Sequence, residues 1–277
     1  MTEPAADAAR PAVLMLHGQP GEAADWEPVT RLLVPDERVI VPDRPGYGAN
    51  AAPAVGPVGN ADFAARLLES EGAAPAVVVG HSYGATVALA LAEVHPASVA
   101  GLVLVCPVGT RSALGVLDHV LALSGVGSVV AFAGLRGLGR IAGWAGRRVE
   151  DLRFDRLGQA LGVPSDRLGA QARAWGNGTV WRSFAGEQRY LVAEMGRVED
   201  ALPTIGVPVR VLAGRRDPIV RPPMVAALTA RLPDARVRWV ADAGHLLPWQ
   251  APAAVVEEIG ALLAGLGPGE PAGAGSQ

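Results

Sequence analysis

The chain has 277 residues, half of them apolar, with a formal charge of −3 and a pI near 6.0. That is enough apolar material for a sizeable core, and the slightly acidic balance gives no footing for a nucleic-acid partner. One cysteine, Cys106, excludes an internal disulfide and any cysteine-based metal cluster.

All 24 basic residues are arginines, which together with abundant Ala, Gly and Pro suggests a GC-rich bacterial genome. Glu3 and Asp7 precede the first apolar run at Val13, so no signal peptide is expected. The longest uncharged apolar stretch, residues 120–135, is broken by glycine and serine and is short for a bilayer span. A soluble, cytoplasmic protein is the expectation.

In chain order, the first strand candidate is Val13-Leu14-Met15-Leu16, which runs into His17-Gly18-Gln19-Pro20-Gly21. A glycine at that point permits a bend that turns a backbone N–H back toward the sheet edge. A helix over 28–33, a strand over 38–41 and the loop Asp43-Arg44-Pro45-Gly46-Tyr47-Gly48 follow, then a helix over 60–70. The run Ala76-Val77-Val78-Val79 leads into Gly80-His81-Ser82-Tyr83-Gly84 and a helix over 83–95. A serine on a tight strand-to-helix turn presents its hydroxyl to a reactant, and the next amide points to where negative charge would develop. The amides of Gln19 and Tyr83 are therefore the candidate oxyanion donors. His17 reads as a structural hydrogen-bonder behind its loop rather than as a second base.

A buried strand over 101–105 ends at Cys106, read as a structural thiol. Between Pro107 and Leu202 no strand pattern appears. About 95 residues exceed a loop in a compact domain, so a helical insertion containing Trp144, Trp175 and Trp181 is expected. Strands over 209–212 and 237–240, with helices over 222–231 and 253–264, complete the alternation. Continuous apolar runs separated by helices predict a parallel α/β sheet covered on both faces. Residues 1–10 and 267–277 have tail composition.

A serine hydroxyl needs a base, and the base a carboxylate. The loop after 209–212 offers Asp217 as its only acid, and the loop after 237–240 supplies His245. Asp242 competes as a local partner for His245, and the loop Cys106-Pro107-Val108-Gly109-Thr110 offers no acid at all. Taken singly, Asp217 before Pro218 is a turn former and His245 a polar loop residue, as are His81, His95 and His119. Taken together, Ser82, Asp217 and His245 stand in nucleophile, acid, base order, each just past a strand.

With these motifs the chain resembles the α/β-hydrolase superfamily over about residues 11–266. Carrying the resemblance are His17 to Gly21, Asp43 to Gly48, Gly80 to Gly84, Gly214-Arg215-Arg216-Asp217 and Ala243-Gly244-His245. It implies an α/β-hydrolase core formed by 11–106 and 203–266, a helical cap over 107–202, a nucleophilic serine, and neither cofactor nor metal. The two strands that usually open this fold have no counterpart in the roughly ten preceding residues, leaving six parallel strands with 38–41 at an exposed edge. The Asp43 to Gly48 loop is usually a structural turn in such proteins.

Serine at position 82 sets aside the epoxide hydrolases and haloalkane dehalogenases, which use aspartate. The absence of lysine sets aside the plant-type hydroxynitrile lyases. The expected activity is hydrolysis of an ester, lactone or similar acyl bond in a small, largely apolar molecule. A carbon–carbon hydrolase, a perhydrolase, a cyclase or isomerase, and a small-molecule receptor are the alternatives. Which residues bind the substrate, and the oligomeric state, the sequence leaves open.

Overall fold

A computed structural model of the chain describes residues 10–35, 37–137, 139–140, 158, 162–177 and 180–266. Trp144 and, save Arg10, the two ends expected to be flexible lie outside these residues. Six strands, β1 Val13–Leu16, β2 Val39–Ile40, β3 Ala76–His81, β4 Val99–Val105, β5 Val209–Gly214 and β6 Ala235–Val240, form one sheet in the order β2-β1-β3-β4-β5-β6. Every pairing is parallel. The chain steps from β1 to β2 in one direction and from β3 onward in the other. The crevice past the ends of β1 and β3 is therefore the topological switch point, where ligands of open α/β sheets settle.

Alternate strand residues face opposite sides, and both sides are buried. Leu14, Leu16, Val78, Leu102, Leu104 and Val211 pack with residues of α2 (Pro57–Ser70), α3 (Tyr83–Val94) and α8 (Pro222–Thr229). Val13, Met15, Val77, Val79, Val103 and Val105 pack with α1 (Glu27–Thr30) and α10 (Pro252–Leu266). This two-sided burial is why the strands read as unbroken apolar runs.

All six expected strands are present, and they differ from the sequence reading mainly in length. β2 contracts to two residues and ends just ahead of Pro42, which has no N–H to donate. α2 starts at Pro57, three residues earlier than its apolar pattern, since proline's fixed φ suits the first turn. The far edge, β6, is guarded by charge: Arg238 reaches Glu257 and Glu258 on α10.

Between β4 and β5 the described residues are helical with no strand. They comprise α4 (Val116–Ala122), α5 (Val126–Ala131) continuing into a wider turn at Phe132–Arg136, α6 (Ser165–Asn177) and the 22-residue α7 (Val180–Ala201), with α9 (Leu247–Gln250) lying later, after β6. Among the described residues no single helix is long and apolar enough to cross a membrane.

Candidate active site

The turn after β3 puts Ser82 at φ 53°, ψ −116°, a region that a residue with a Cβ occupies only under strain. Two close approaches enforce the turn. A Cβ on Gly80 would lie 2.4 Å from the carbonyl oxygen of Gly84, and one on Gly84 2.1 Å from that of Leu16. Both positions therefore exclude any larger side chain. The Ser82 N–H donates to Val105 O at 2.9 Å, and its carbonyl accepts from Ala85 N at 3.0 Å. The strained residue is thus tied to β4 on one side and to α3 on the other.

The loops after β5 and β6 are bonded to one another, which brings the remaining groups to the same place. Arg215 N donates to Val240 O and Arg216 N to Ala243 O, at 2.9 and 3.0 Å. Asp217 Oδ2 lies 2.8 Å from His245 Nδ1, and His245 Nε2 lies 3.0 Å from Ser82 Oγ. Asp217 is buried, and its other oxygen accepts the amides of Ile219 and Val220 at 2.8 and 2.9 Å. Burial opposes its charge. The bond and charge of His245 and the two amides prevail, holding the carboxyl below the usual carboxylate range. Asp242 has a different partner, an exposed ion pair with Arg216.

Gln19 and Tyr83 stand on the two loops flanking Ser82. Tyr83 opens α3, so its amide has no intrahelical acceptor. Neither amide donates to another group among the described residues. His81, beside Ser82, donates Nε2–H to the His245 carbonyl at 2.8 Å. Burial, with the neighbouring His245 adding to it, lowers its pKa to about 3. His17 donates Nδ1–H to Gly18 O at 2.8 Å, while its Nε2 accepts the Arg44 amide at 3.0 Å. It is fully buried and turned away from the base's role, as its sequence context implies.

Cys106 is buried at φ 45°. Its sulfur, an Asp217 oxygen and a His245 nitrogen lie within 4.8 Å of one another, the one group among the described residues with metal-ligand proximity. Burial pushes the thiol's pKa well up, with the Asp217 charge adding to it, which disfavours the thiolate a metal needs. The thiol instead points at the Gly244 carbonyl, 3.6 Å away.

Ser82 and His245 open into a cavity of about 370 Å³ walled by Leu168, Trp175, Leu246 and Trp249, with Gln19 and Arg167 as polar members. Trp249, on the helix after His245, carried no signal in sequence beyond being aromatic. Trp181 belongs elsewhere, packed edge-on against Phe132 at 5.2 Å.

The sequence model described as "Alpha/beta hydrolase family" matches residues 13–258. The chain is 32% identical over 244 residues to the magnesium-chelatase 30 kDa subunit of Rhodobacter capsulatus, covering 86% of this chain and 81% of that one. It is 35% identical over 247 residues to the pimeloyl-[acyl-carrier protein] methyl ester esterase of Aromatoleum aromaticum, covering 85% and 91%. Among solved structures, an esterase from Thermogutta terrifontis superposes with a TM-score of 0.67 at 24% identity, covering 92% and 90%.

Proposed function

From the chain's membership of the alpha/beta hydrolase family, we propose that this esterase-like hydrolase cleaves an ester or similar acyl bond through Ser82, His245 and Asp217. The observation that carries the reading is the unbroken path Ser82 Oγ to His245 Nε2 at 3.0 Å and His245 Nδ1 to Asp217 at 2.8 Å.

In the first step His245 Nε2 takes the Ser82 proton as Oγ attacks the carbonyl carbon. Asp217 holds the Nδ1–H tautomer and stabilises the imidazolium that forms. The carbonyl oxygen gathers charge, and the amides of Gln19 and Tyr83 receive it; each such donor is worth about 3 kcal/mol in the transition state. His245 then protonates the leaving alcohol. Water repeats the sequence on the acyl-serine, releasing the acid and restoring Ser82.

The described helices between β4 and β5 act as a cap, since α6 supplies Leu168 and Trp175 to the cavity wall. A cavity of about 370 Å³ with this lining suits a small, largely apolar acyl compound. The relative named as a methyl ester esterase supports an ester over the other acyl bonds.

Treatment with a fluorophosphonate probe followed by peptide mapping tests the assignment. Modification of Ser82 in the folded protein, abolished in Ser82→Ala, is expected. A folded protein that leaves Ser82 unmodified overturns it.

A further inference from the structure

In sequence the Asp43 to Gly48 loop reads as a structural turn, yet in the structure its Arg44 is fully buried and every guanidinium N–H has an acceptor. Nε donates to His17 O at 3.0 Å and Nη2 to Gly18 O at 3.0 Å. Nη1 donates to Asn60 Oδ1 at 3.4 Å and to Glu187 Oε1, and Nη2 also reaches Glu187 Oε2 at 3.4 Å. Glu187 sits on α7, and both side chains of this ion pair are wholly shielded from solvent. Tyr47 O–H donates to Glu187 Oε2 at 2.7 Å, and the rings of Tyr47 and Tyr83 lie 5.0 and 4.7 Å from the Arg44 Cζ.

An ion pair that only joined α7 to the core would need nothing further. Arg44 instead directs two of its donors at consecutive carbonyls, those of His17 and Gly18, immediately before Gln19. The Gly18–Gln19 peptide is trans, so its C=O and N–H point in opposite directions across one rigid plane. Arg44 and the His17 ring together hold the Gly18 oxygen on the buried side. That leaves the Gln19 N–H directed away from them, in the wall that Gln19 shares with Ser82.

We propose that Arg44, itself held by Glu187 of α7, is a positioning residue that orients the Gln19 amide, so that the packing of α7 sets the strength of the oxyanion site. The inference rests on the reading of Ser82 as nucleophile and Gln19 as oxyanion donor. His17 supports it as a neutral ring: burial and the Arg44 charge hold its pKa well below 6.5, leaving Nε2 free to accept the Arg44 amide.

The test compares wild type with the double variant Arg44→Met/Glu187→Leu, which removes both charges at once so that neither is left buried and unpaired. A p-nitrophenyl ester gives kcat and KM. A trifluoromethyl ketone, which forms an oxyanion on Ser82, is compared with the matching alcohol, which does not. The expected result is a folded variant with kcat lowered roughly 10²-fold and KM within threefold. Trifluoromethyl ketone affinity falls in step with kcat, while alcohol affinity and the pH midpoint of the acid limb stay unchanged. A folded double variant with kcat within threefold of wild type, or with the loss confined to KM, overturns the proposal. Where the double variant does not fold, Arg44→Lys decides: it keeps a cation opposite Glu187 but lacks the planar fork that spans two carbonyls. Its kcat is expected to fall at least tenfold at near-wild-type melting temperature, and full activity overturns the proposal. Failure of wild-type Ser82 to react with the fluorophosphonate removes the premise itself, a different outcome from a labelled enzyme indifferent to Arg44.

Discussion

Two buried side chains beside Ser82 both have pKa values held below their ordinary ranges. The Asp217 carboxyl is held below the usual carboxylate range, so its charge persists into acid, which suits the orienting part proposed for it rather than proton exchange. Asp217→Asn is expected to fold normally and to lower kcat by about 10³ to 10⁴, because an amide favours the wrong imidazole tautomer. Ester turnover alongside a urea unfolding curve checks both halves. His81 is the stability counterpart. Its folded pKa of about 3 lies below the unfolded value near 6.5, so between these limits the unfolded chain binds more protons. Stability therefore rises with pH over that window and is lost on acidification through it, to an extent on the order of 5 kcal/mol. His81→Gln, whose amide can still donate to the His245 carbonyl, is expected to flatten this dependence between pH 6.5 and 4 in urea titrations. An unchanged slope would assign the acid sensitivity to other groups. At this scale the meeting of Ser82, Asp217 and His245 was legible because each follows a strand of one parallel sheet and so stands at the same edge. Arg44 was legible only as part of a turn, since its partner Glu187 lies 143 residues away with no local pattern to announce it.

At the scale of elements, the strand–turn–helix from β3 to α3 is built by exclusion of side chains. A methyl on Gly84 would meet the carbonyl oxygens of Leu16 and His17 at 2.1 and 2.7 Å, both backbone atoms of a central strand's end. Neither can yield without moving β1, and with it the loop that carries Gln19. Gly84→Ala is accordingly expected to cost about 3 kcal/mol or more and to lower activity even where the chain still folds. Gly72→Ala serves as the contrast: a Cβ there meets nothing within 4 Å, and only its φ of 56° is strained. It is expected to cost no more than about 1–2 kcal/mol, with turnover unaffected. Similar losses for the two variants in thermal unfolding would reject the packing argument. Strands were the most legible elements, because burial on both faces makes their apolar runs continuous. Element ends were less so. β2 stops just ahead of Pro42, α2 begins on a proline outside its apolar pattern, and β3 continues through Gly80 and His81, whose composition reads as a turn.

Over the whole molecule, α7 links what the sequence separates into cap and core. Leu191, Met195 and Val198 on it belong to the same apolar cluster as Leu14, Val78 and Leu102 of the sheet. Glu194 accepts the Val58 amide at the start of α2, Arg197 pairs with Glu93, and Glu187 neutralises Arg44. None of this could be read locally, since the three polar contacts join residues 104 to 143 apart, and the segment between β4 and β5 has the helical spacing of any insertion. α6 is attached more lightly, by part-buried bonds from Arg167 to Glu22 and Asp25 and from Gln171 to the Pro20 carbonyl. The asymmetry makes a prediction about where the molecule can be cut. Replacing residues 111–201 by a flexible linker would open to water the apolar face that α7 covers, remove Leu191, Met195 and Val198 from the shared cluster, and take the carboxylate partner from Arg44. Truncating a single such core side chain costs about 2–5 kcal/mol, and a domain's whole stability is only about 5–15 kcal/mol, so the shortened chain is expected not to unfold cooperatively. Keeping 180–201 and replacing only 111–178, by a linker of about 25 residues, retains those contacts. Because Arg111 bonds to Glu199 and Asp200 near the far end of α7, this linker must run the helix's length, about 33 Å at 1.5 Å per residue. The resulting chain is expected to show a single urea transition. It should also bind the fluorophosphonate at Ser82 while losing selectivity among acyl groups, since Leu168 and Trp175 leave the cavity wall with α6. If both deletions unfold alike, α7 is no more part of the core than the helices before it.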